Sequence, residues 1–398
     1  MTLRVVSRRT DTMAQMVPGS LIFNHNQNQL IGNGIALRIS AKGPNRIEEL
    51  SRAWKELCEK ADISDEVQLP GSGLVAFTSI TFSPESGYES VLLIPAQLSV
   101  LRDGVMFETT IDSETAEVEQ LAKAEGVFVP GSLDPKGFMD ATQAAISKIT
   151  SSDLEKVVLS RDLVMPLNHK PDLTAPLERL SKRYPNCWTY SVGQVFGASP
   201  ELLLRSQKGE VSARVLAGTA GRGTDPDVDR AIATGLKDSH KNKHEHEYAV
   251  ASMLNELRPF CESLEADAEP FSLALPDLWH LATDVRGRLK PNHSLLDVIA
   301  KLHPTAAVAG TPRQMAQALI QELEPFDRGG YAGPVGWIAA DGSGELAIAL
   351  RGGLVEKTVS GYQIRAIAGC GIVSESDPEA ELAETELKFR AVRYAFEN

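Results

Sequence analysis

Ala368-Gly369-Cys370-Gly371-Ile372-Val373 is entered from the apolar run Gln363 to Ile367. It leaves through Ser374 to Asp377 into Glu381-Leu382-Ala383-Glu384-Thr385-Glu386-Leu387-Lys388. A strand that passes through a small-residue turn into a helix with acids in its first turns has the form of an anion or metal site. Glycines let backbone amides approach a ligand, and Glu381, Glu384 and Lys388 recur at helical spacing, so they project from one face. The same pattern also fits a capped amphipathic helix with a solvated Glu384–Lys388 pair. Residues elsewhere in the chain must separate the two.

The 398 residues suffice for a large core, in one α/β unit or in two or three domains. The 53 acids exceed the 40 bases, for a net charge of −13, and no basic block relieves it. Nucleic acid and anionic membranes are therefore disfavoured as partners. An anionic ligand would have to be met by local cations or a metal. Cys58, Cys187, Cys261 and Cys370 are scattered without C-x-x-C spacing, which fits a reducing compartment. No signal-peptide core or bilayer-spanning run is apparent, so a cytoplasmic protein is expected.

Working along the chain, Ser20 to Ile39 reads as a β-hairpin and Arg46 to Ala61 as a helix, with Ile47, Leu50, Trp54 and Leu57 at helical spacing. Gly73 to Phe82 and Ser90 to Ile111 read as strands, the latter folded at Arg102-Asp103-Gly104. Pro130-Gly131-Ser132 and Asp134-Pro135 mark a subdomain boundary, dividing an N-terminal part of the sheet scaffold (1–130) from the remainder (131–398) within one compact unit. A helix from Lys136 to Ile149 precedes the strand Lys156 to Arg161, whose period of two puts Lys156, Val158 and Ser160 on one face. A helix (Ala175 to Arg183) and a strand (Trp188 to Val192) lead to Glu201, at the head of an apolar strand. Ala217 to Gly223 reads as a turn, and Pro226 to Ser263 as a helical region broken near Ser239. Leu278 to Thr283 is a strand, His303 to Gly310 a loop, Pro312 to Leu323 a helix, and strands dominate from Gly333 to Ile372. This order predicts an α+β fold, with large mixed sheets and helices on their outer faces.

Several groups could carry chemistry. His244-Glu245-His246-Glu247 lacks the histidine spacing of a zinc protease and is either a solvated helix face or one side of a hard-cation site completed by Glu381 and Glu384. Glu201, if buried, would have a raised pKa and serve as a general acid. Lys156 has the complementary option, a desolvated amine that deprotonates water. Arg351 is either a surface strand residue or a carboxylate clamp.

Together these segments resemble the chorismate-utilising enzymes, and within them the isochorismate synthases. The likeness rests on Lys156 to Arg161, Gly197-Ala198-Ser199-Pro200-Glu201-Leu202-Leu203, Leu216-Ala217-Gly218-Thr219, His244-Glu245-His246, Leu278-Trp279-His280-Leu281 and His303-Pro304-Thr305. It continues through Glu324-Pro325-Phe326-Asp327-Arg328, Gly333-Pro334-Val335-Gly336-Trp337, Ala368 to Val373 and Glu381 to Thr385. The resemblance covers about residues 130 to 398 and implies two large, mostly antiparallel sheets packed together with helices outside.

It further implies that chorismate, a dianion with a C4 hydroxyl and an enolpyruvyl ether, is the substrate. Glu245 and Glu384 would hold Mg2+, supported by Glu381. Gly218, Thr219, His280, Ala307, Arg351, Gly369, Gly371, Ile372 and Lys388 would bind substrate. Lys156 would activate water to attack C2, and Glu201 would protonate the departing C4 hydroxyl. The isochorismate formed would feed menaquinone or catechol siderophore biosynthesis. No amidotransferase subunit is implied, and a monomer is expected. Asn242, Ala306 and Cys370 depart from the family's usual residues. Salicylate synthases share the lysine and the acid but go on to eliminate pyruvate, and a catalytically silent chorismate-binding protein is the reading from another class.

Overall fold

The computed structural model describes residues 3–112, 121–291 and 293–397; the side chains of Lys241 and Glu245 also lie outside the described residues. Its organising strand is Ser90–Arg102. One edge pairs antiparallel with Asn28–Ala41, and the other pairs first with Val75–Ser79 and then with Val105–Ile111. Asp103 and Gly104 join Ser90–Arg102 to Val105–Ile111 with φ of 52° and 81°. Two left-handed residues make the tight turn whose twist matches that of paired strands.

From this branch point the ladder runs out in two arms. The first continues through Leu21–His25, Trp188–Val192, Val195–Ser199, Gly352–Thr358, Gly361–Ile372 and Lys156–Leu167. The second continues through Pro334–Ala339, Gly344–Ile348, Leu202–Gln207, Glu210–Gly221 and Leu278–Leu289. These pairings are antiparallel, and among the described residues the arms belong to one 21-stranded hydrogen-bonded network. The two sheets expected from the sequence are its two arms. Because Leu21–His25 pairs with Trp188–Val192 and Val75–Ser79 with Pro334–Ala339, the network crosses residue 130 more than once.

Helices cover the arms. Pro378–Phe396 packs on Gly361–Ile372 and against Pro135–Thr150 and Thr174–Arg183, while His240–Leu257 packs on Glu210–Gly221. Asp377 caps the C-terminal helix by accepting from Ala380 N–H at 2.9 Å, with Pro378 at its first position.

Two local expectations change. Ala217 to Gly223 is not a turn: the strand runs on to Gly221, with a bulge between Ala217 and Thr219 where Gly218 takes φ 84°. One left-handed glycine inserts an extra residue without ending the strand. The helical region also ends before Ser263, because Pro259 shortens it into a 3-10 turn (Arg258–Phe260) and Cys261–Ala266 is a strand.

Close approach between strands fixes some glycines. A Cβ on Gly352 would lie 1.8 Å from the Phe196 carbonyl oxygen and 2.6 Å from Gly197 Cα, both backbone atoms of the paired strand. Gly352→Ala is therefore expected to destabilise the fold by about 1–3 kcal/mol. Urea unfolding should show a lowered midpoint with an unchanged slope.

Candidate active site

The arms face each other across a cavity of about 650 Å3, its open mouth included. Lys156, Val158 and Ser160 enter it from the first arm, as the two-residue period of the strand requires. Leu216 to Thr219 and His280 enter from the second. Glu201 lies at the crossover from Val195–Ser199 in one arm to Leu202–Gln207 in the other. Ala307 and Val308 line the wall from the loop after the helix Leu295–Leu302, and Glu384 and Lys388 from the C-terminal helix.

Register makes room for a ligand. Val158 stands opposite Gly371 and Ser160 opposite Gly369, and a Cβ on Gly369 would meet Ser160 Oγ at 2.4 Å. The wall there is narrow and backbone-lined. Gly369, Cys370 and Gly371 border the cavity, whereas Ile372, opposite Val157, is fully buried in the apolar core and is not part of its lining. What the family likeness asks of Ile372 is its backbone amide, and not its buried side chain.

Glu201 is buried, and its backbone is tied at both ends: its N–H donates to Ser199 Oγ at 3.2 Å and its carbonyl accepts from Ile348 N–H at 3.1 Å. Burial pushes its carboxyl up to about 8, against the pull of Arg351, Lys156 and Lys388. At neutral pH it is chiefly a neutral acid, the state a proton donor needs.

His280 is also kept neutral. Burial first, then the charges of Arg351 and Lys388, hold its pKa well below the usual imidazole value, against the Gly218 carbonyl. Arg351 can only donate, so its contact of 2.7 Å makes His280 Nε2 the acceptor. The proton must then sit on Nδ1, which faces Thr219 Oγ1 at 3.1 Å and the Gly218 carbonyl at 3.3 Å. Gly218, Thr219, His280 and Arg351 thus form one connected group. Arg351 holds a left-handed φ of 53°, uncommon for a residue with a side chain, at the point where its guanidinium turns into the cavity.

The acidic end is built on the C-terminal helix. Lys388 Nζ bridges Glu384 Oε1 at 2.6 Å and the Gly369 carbonyl at 2.7 Å, and at 10% side-chain exposure it is not a solvated partner. Glu381 is buried, accepts from Ser376 Oγ at 2.8 Å, and lies outside the cavity lining. Burial first, then Glu381 and Glu384, holds the Cys370 thiol well above its ordinary range, so both carboxylates converge on that point. Two such oxygen donors suit a hard divalent ion that keeps water and ligand oxygens in its other positions. Among the described residues no group of three or more His, Cys, Asp or Glu side chains forms a closed metal cage. The predicted ligand Glu245 is on the helix His240–Leu257, but its side chain lies outside the described residues.

His246, from the same helix, is an anchor: buried, it contacts the Ala217 carbonyl through Nδ1 at 3.2 Å and Thr283 Oγ1 through Nε2 at 2.7 Å. Asn242 stands against Gly218, its Cβ 3.3 Å from where a Cβ on that glycine would be.

Three contributors had not been singled out. Tyr331 lines the cavity, buried, with no local sequence signal. Arg328 and Glu324 form a buried pair at 2.6 Å, visible in the sequence only as an i,i+4 spacing inside a longer motif. Arg328 donates to the Val158 and Val308 carbonyls at 2.7 and 3.0 Å, and Glu324 accepts from Ser160 N–H at 2.7 Å. The pair therefore pins the strand that carries Lys156 to the loop that carries Ala307.

A cavity between two antiparallel arms, lined by a neutral acid, a neutral imidazole, the four cations Lys156, Arg328, Arg351 and Lys388 and the carboxylate of Glu384, defines an enzyme site for a small polyanion. A family profile described as chorismate binding enzyme matches residues 102–397, and the chain belongs to that family. Isochorismate synthase DhbC of Bacillus subtilis is 30% identical over 388 residues, which cover 94% of this chain and 93% of that one. Isochorismate synthase EntC of Escherichia coli K12 is 36% identical over 263 residues, 65% of this chain and 66% of that one. The solved structure of MenF, the menaquinone-specific isochorismate synthase from Escherichia coli, superposes with a TM-score of 0.80 at 22% identity, covering 99% of this chain and 95% of that one, and so shares its fold.

Removing one member of the buried pair tests its structural role. Glu324→Ala leaves the Arg328 charge buried without its carboxylate, and a loss of about 3–5 kcal/mol is expected in chemical denaturation.

Proposed function

We propose that the chain is an Mg2+-dependent isochorismate synthase. The observation that carries this reading is Glu201, buried in the cavity that Lys156 shares, with its carboxyl raised to about 8. A reaction that expels hydroxide from carbon needs a neutral acid at that carbon, and a buried carboxyl supplies one at physiological pH.

Arg351, Lys388 and the amides of Gly369 and Gly371 hold the two carboxylates of chorismate, and Thr219, His280 and Ala307 border the ring. Lys156 takes the proton of a water that attacks C2. The ring double bonds shift as the C2–O bond forms, and the C4–O bond breaks. Glu201 gives its proton to the departing hydroxyl, which leaves as water. One water enters and one leaves, so the reaction is an isomerisation without redox change. Glu384 and Glu245, with Glu381 behind, would hold Mg2+, which would supply positive charge toward a substrate carboxylate.

Neutral His280 serves this arrangement by adding no positive charge and by holding Arg351 in place. The cations remain for the substrate, and the excess of acids elsewhere on the chain does not reach the buried carboxylate clamp unscreened.

Chromatography of chorismate incubated with the protein and Mg2+, beside a pyruvate-coupled assay, tests the function. Isochorismate without pyruvate, lost on adding EDTA, is expected; stoichiometric pyruvate with salicylate would instead assign the lyase reaction, and no turnover would remove the enzyme reading. Glu201→Gln is expected to abolish turnover while keeping chorismate affinity within about tenfold, because the proton acts mainly in the transition state. The raised carboxyl also sets a pH dependence. The acid is protonated below its pKa and ionised above it, so kcat/KM should fall as pH rises through about 8. A flat alkaline profile across that range would count against Glu201 as the donor.

A further inference from the structure

A groove outside the active site also has the make-up of a ligand site. Two hollows of about 1320 and 1250 Å3, open mouths included, meet beside the strands Asn28–Ala41 and Gly352–Thr358, and Lys170, Gly193 and Val355 line both. Neither shares a lining residue with the active-site cavity. The first hollow is apolar: Leu21 and Leu177 are buried in its wall, Met16, Ile35 and Leu173 are half-buried, and Val17 is 46% exposed. Among the described residues no acid lines it.

The second hollow gathers positive charge on a chain whose net charge is −13. Arg38, Lys42 and Lys357 line it, and Lys170 stands where it joins the first. Lys42 donates to the Gly87 carbonyl at 2.6 Å, and among the described residues neither it nor Lys357 forms an ion pair. Arg38 pairs at 2.8 Å with Glu89, the one acid of the lining, but both side chains are exposed and such a pair is weak. Glu356, between Val355 and Lys357, would oppose an anion, yet it is buried on the other face of the strand. There Arg365 at 3.0 Å and the Tyr88 hydroxyl at 2.6 Å meet its charge.

We propose that this groove binds a small amphipathic anion, with an aromatic or aliphatic body in the apolar hollow and a carboxylate or sulfonate between Arg38, Lys42 and Lys357. A concave, largely apolar site with a few placed polar groups is the form in which proteins hold small molecules. Charge complementarity selects the occupant. A neutral apolar molecule would leave the cations unmet, and an inorganic anion would leave Val17 and its neighbours in water. An anionic bilayer is repelled by the acidic remainder of the chain and is too flat to enter a hollow. The site does not rest on the chorismate reading.

Anilinonaphthalene sulfonate, which joins an aromatic body to one negative charge, is the probe, titrated by fluorescence against the whole chain. One site per chain is expected, with binding that weakens as NaCl is raised and is unchanged by saturating chorismate. Lys42→Gln with Lys357→Gln should weaken it about fivefold and remove most of the salt dependence. Val17→Glu should weaken it by a similar factor. All three positions are exposed, so the Tm should not move. Removing the same charge elsewhere, by Lys136→Gln with Lys182→Gln, should leave the affinity unchanged. The uncharged phenylnaphthylamine should bind more weakly and be indifferent to both lysine pairs. No binding to wild type, or equal affinity in wild type and in the variants at Lys42, Lys357 and Val17, overturns the site, as does an equal loss in the Lys136 and Lys182 variant or displacement by chorismate. Sedimentation with dioleoylphosphatidylglycerol vesicles that is lost in the same variants would assign the groove to a membrane and overturn it as a small-molecule site.

Discussion

The antiparallel register between Lys156–Leu167 and Gly361–Ile372 is the constraint on which the site depends. It holds without interruption from Val157 opposite Ile372 to Leu167 opposite Tyr362. A slip by one residue would turn Lys156, Val158 and Ser160 to the other face of the sheet and bring side chains in place of Gly369 and Gly371. At Gly369 a Cβ would meet Ser160 Oγ at 2.4 Å and the Leu159 carbonyl oxygen at 2.6 Å, and the same absence of a side chain leaves backbone at the cavity wall. The buried Arg328–Glu324 pair reinforces this register by gripping the Val158 carbonyl and the Ser160 N–H at once.

The second theme is which groups are charged. Burial drives Glu201 toward its protonated form and His280 toward its unprotonated form, and in both cases the result is neutrality. Arg351 stands next to one and acts on the other, yet it neither restores a low carboxyl pKa at Glu201 nor is cancelled by a partner of opposite sign. A chain with an excess of acids over bases thus lines its cavity with four cations, Lys156, Arg328, Arg351 and Lys388. Its left-handed backbone at Arg351 is a local strain retained where the guanidinium enters the cavity.

Much of this was legible along the chain. Strand periods at Lys156 to Arg161, the turn at Asp103-Gly104 and the acid spacing of the C-terminal helix rest on local stereochemistry, and the structure retains them. Other features misled for physical reasons. Gly218 has the composition of a turn, but its left-handed residue makes a bulge inside a longer strand. The spacing of Glu384 and Lys388 fitted either a solvated pair or a site, and the packing of their helix on the first arm turns both into the cavity wall. Tyr331 has no periodic or motif signal of its own, since its role depends on the opposite wall.

The sequence by itself determined the strands, the capped helix, the overall acidity and the family likeness with its chemical types, because backbone preference and residue chemistry act over a few neighbouring positions. Only the tertiary structure decided which of these groups share a cavity and which are neutral. Desolvation and hydrogen bonding depend on atoms brought together from distant parts of the chain. Glu201 is an acid of raised pKa because two arms close over it, and nothing within its own strand could have made it one.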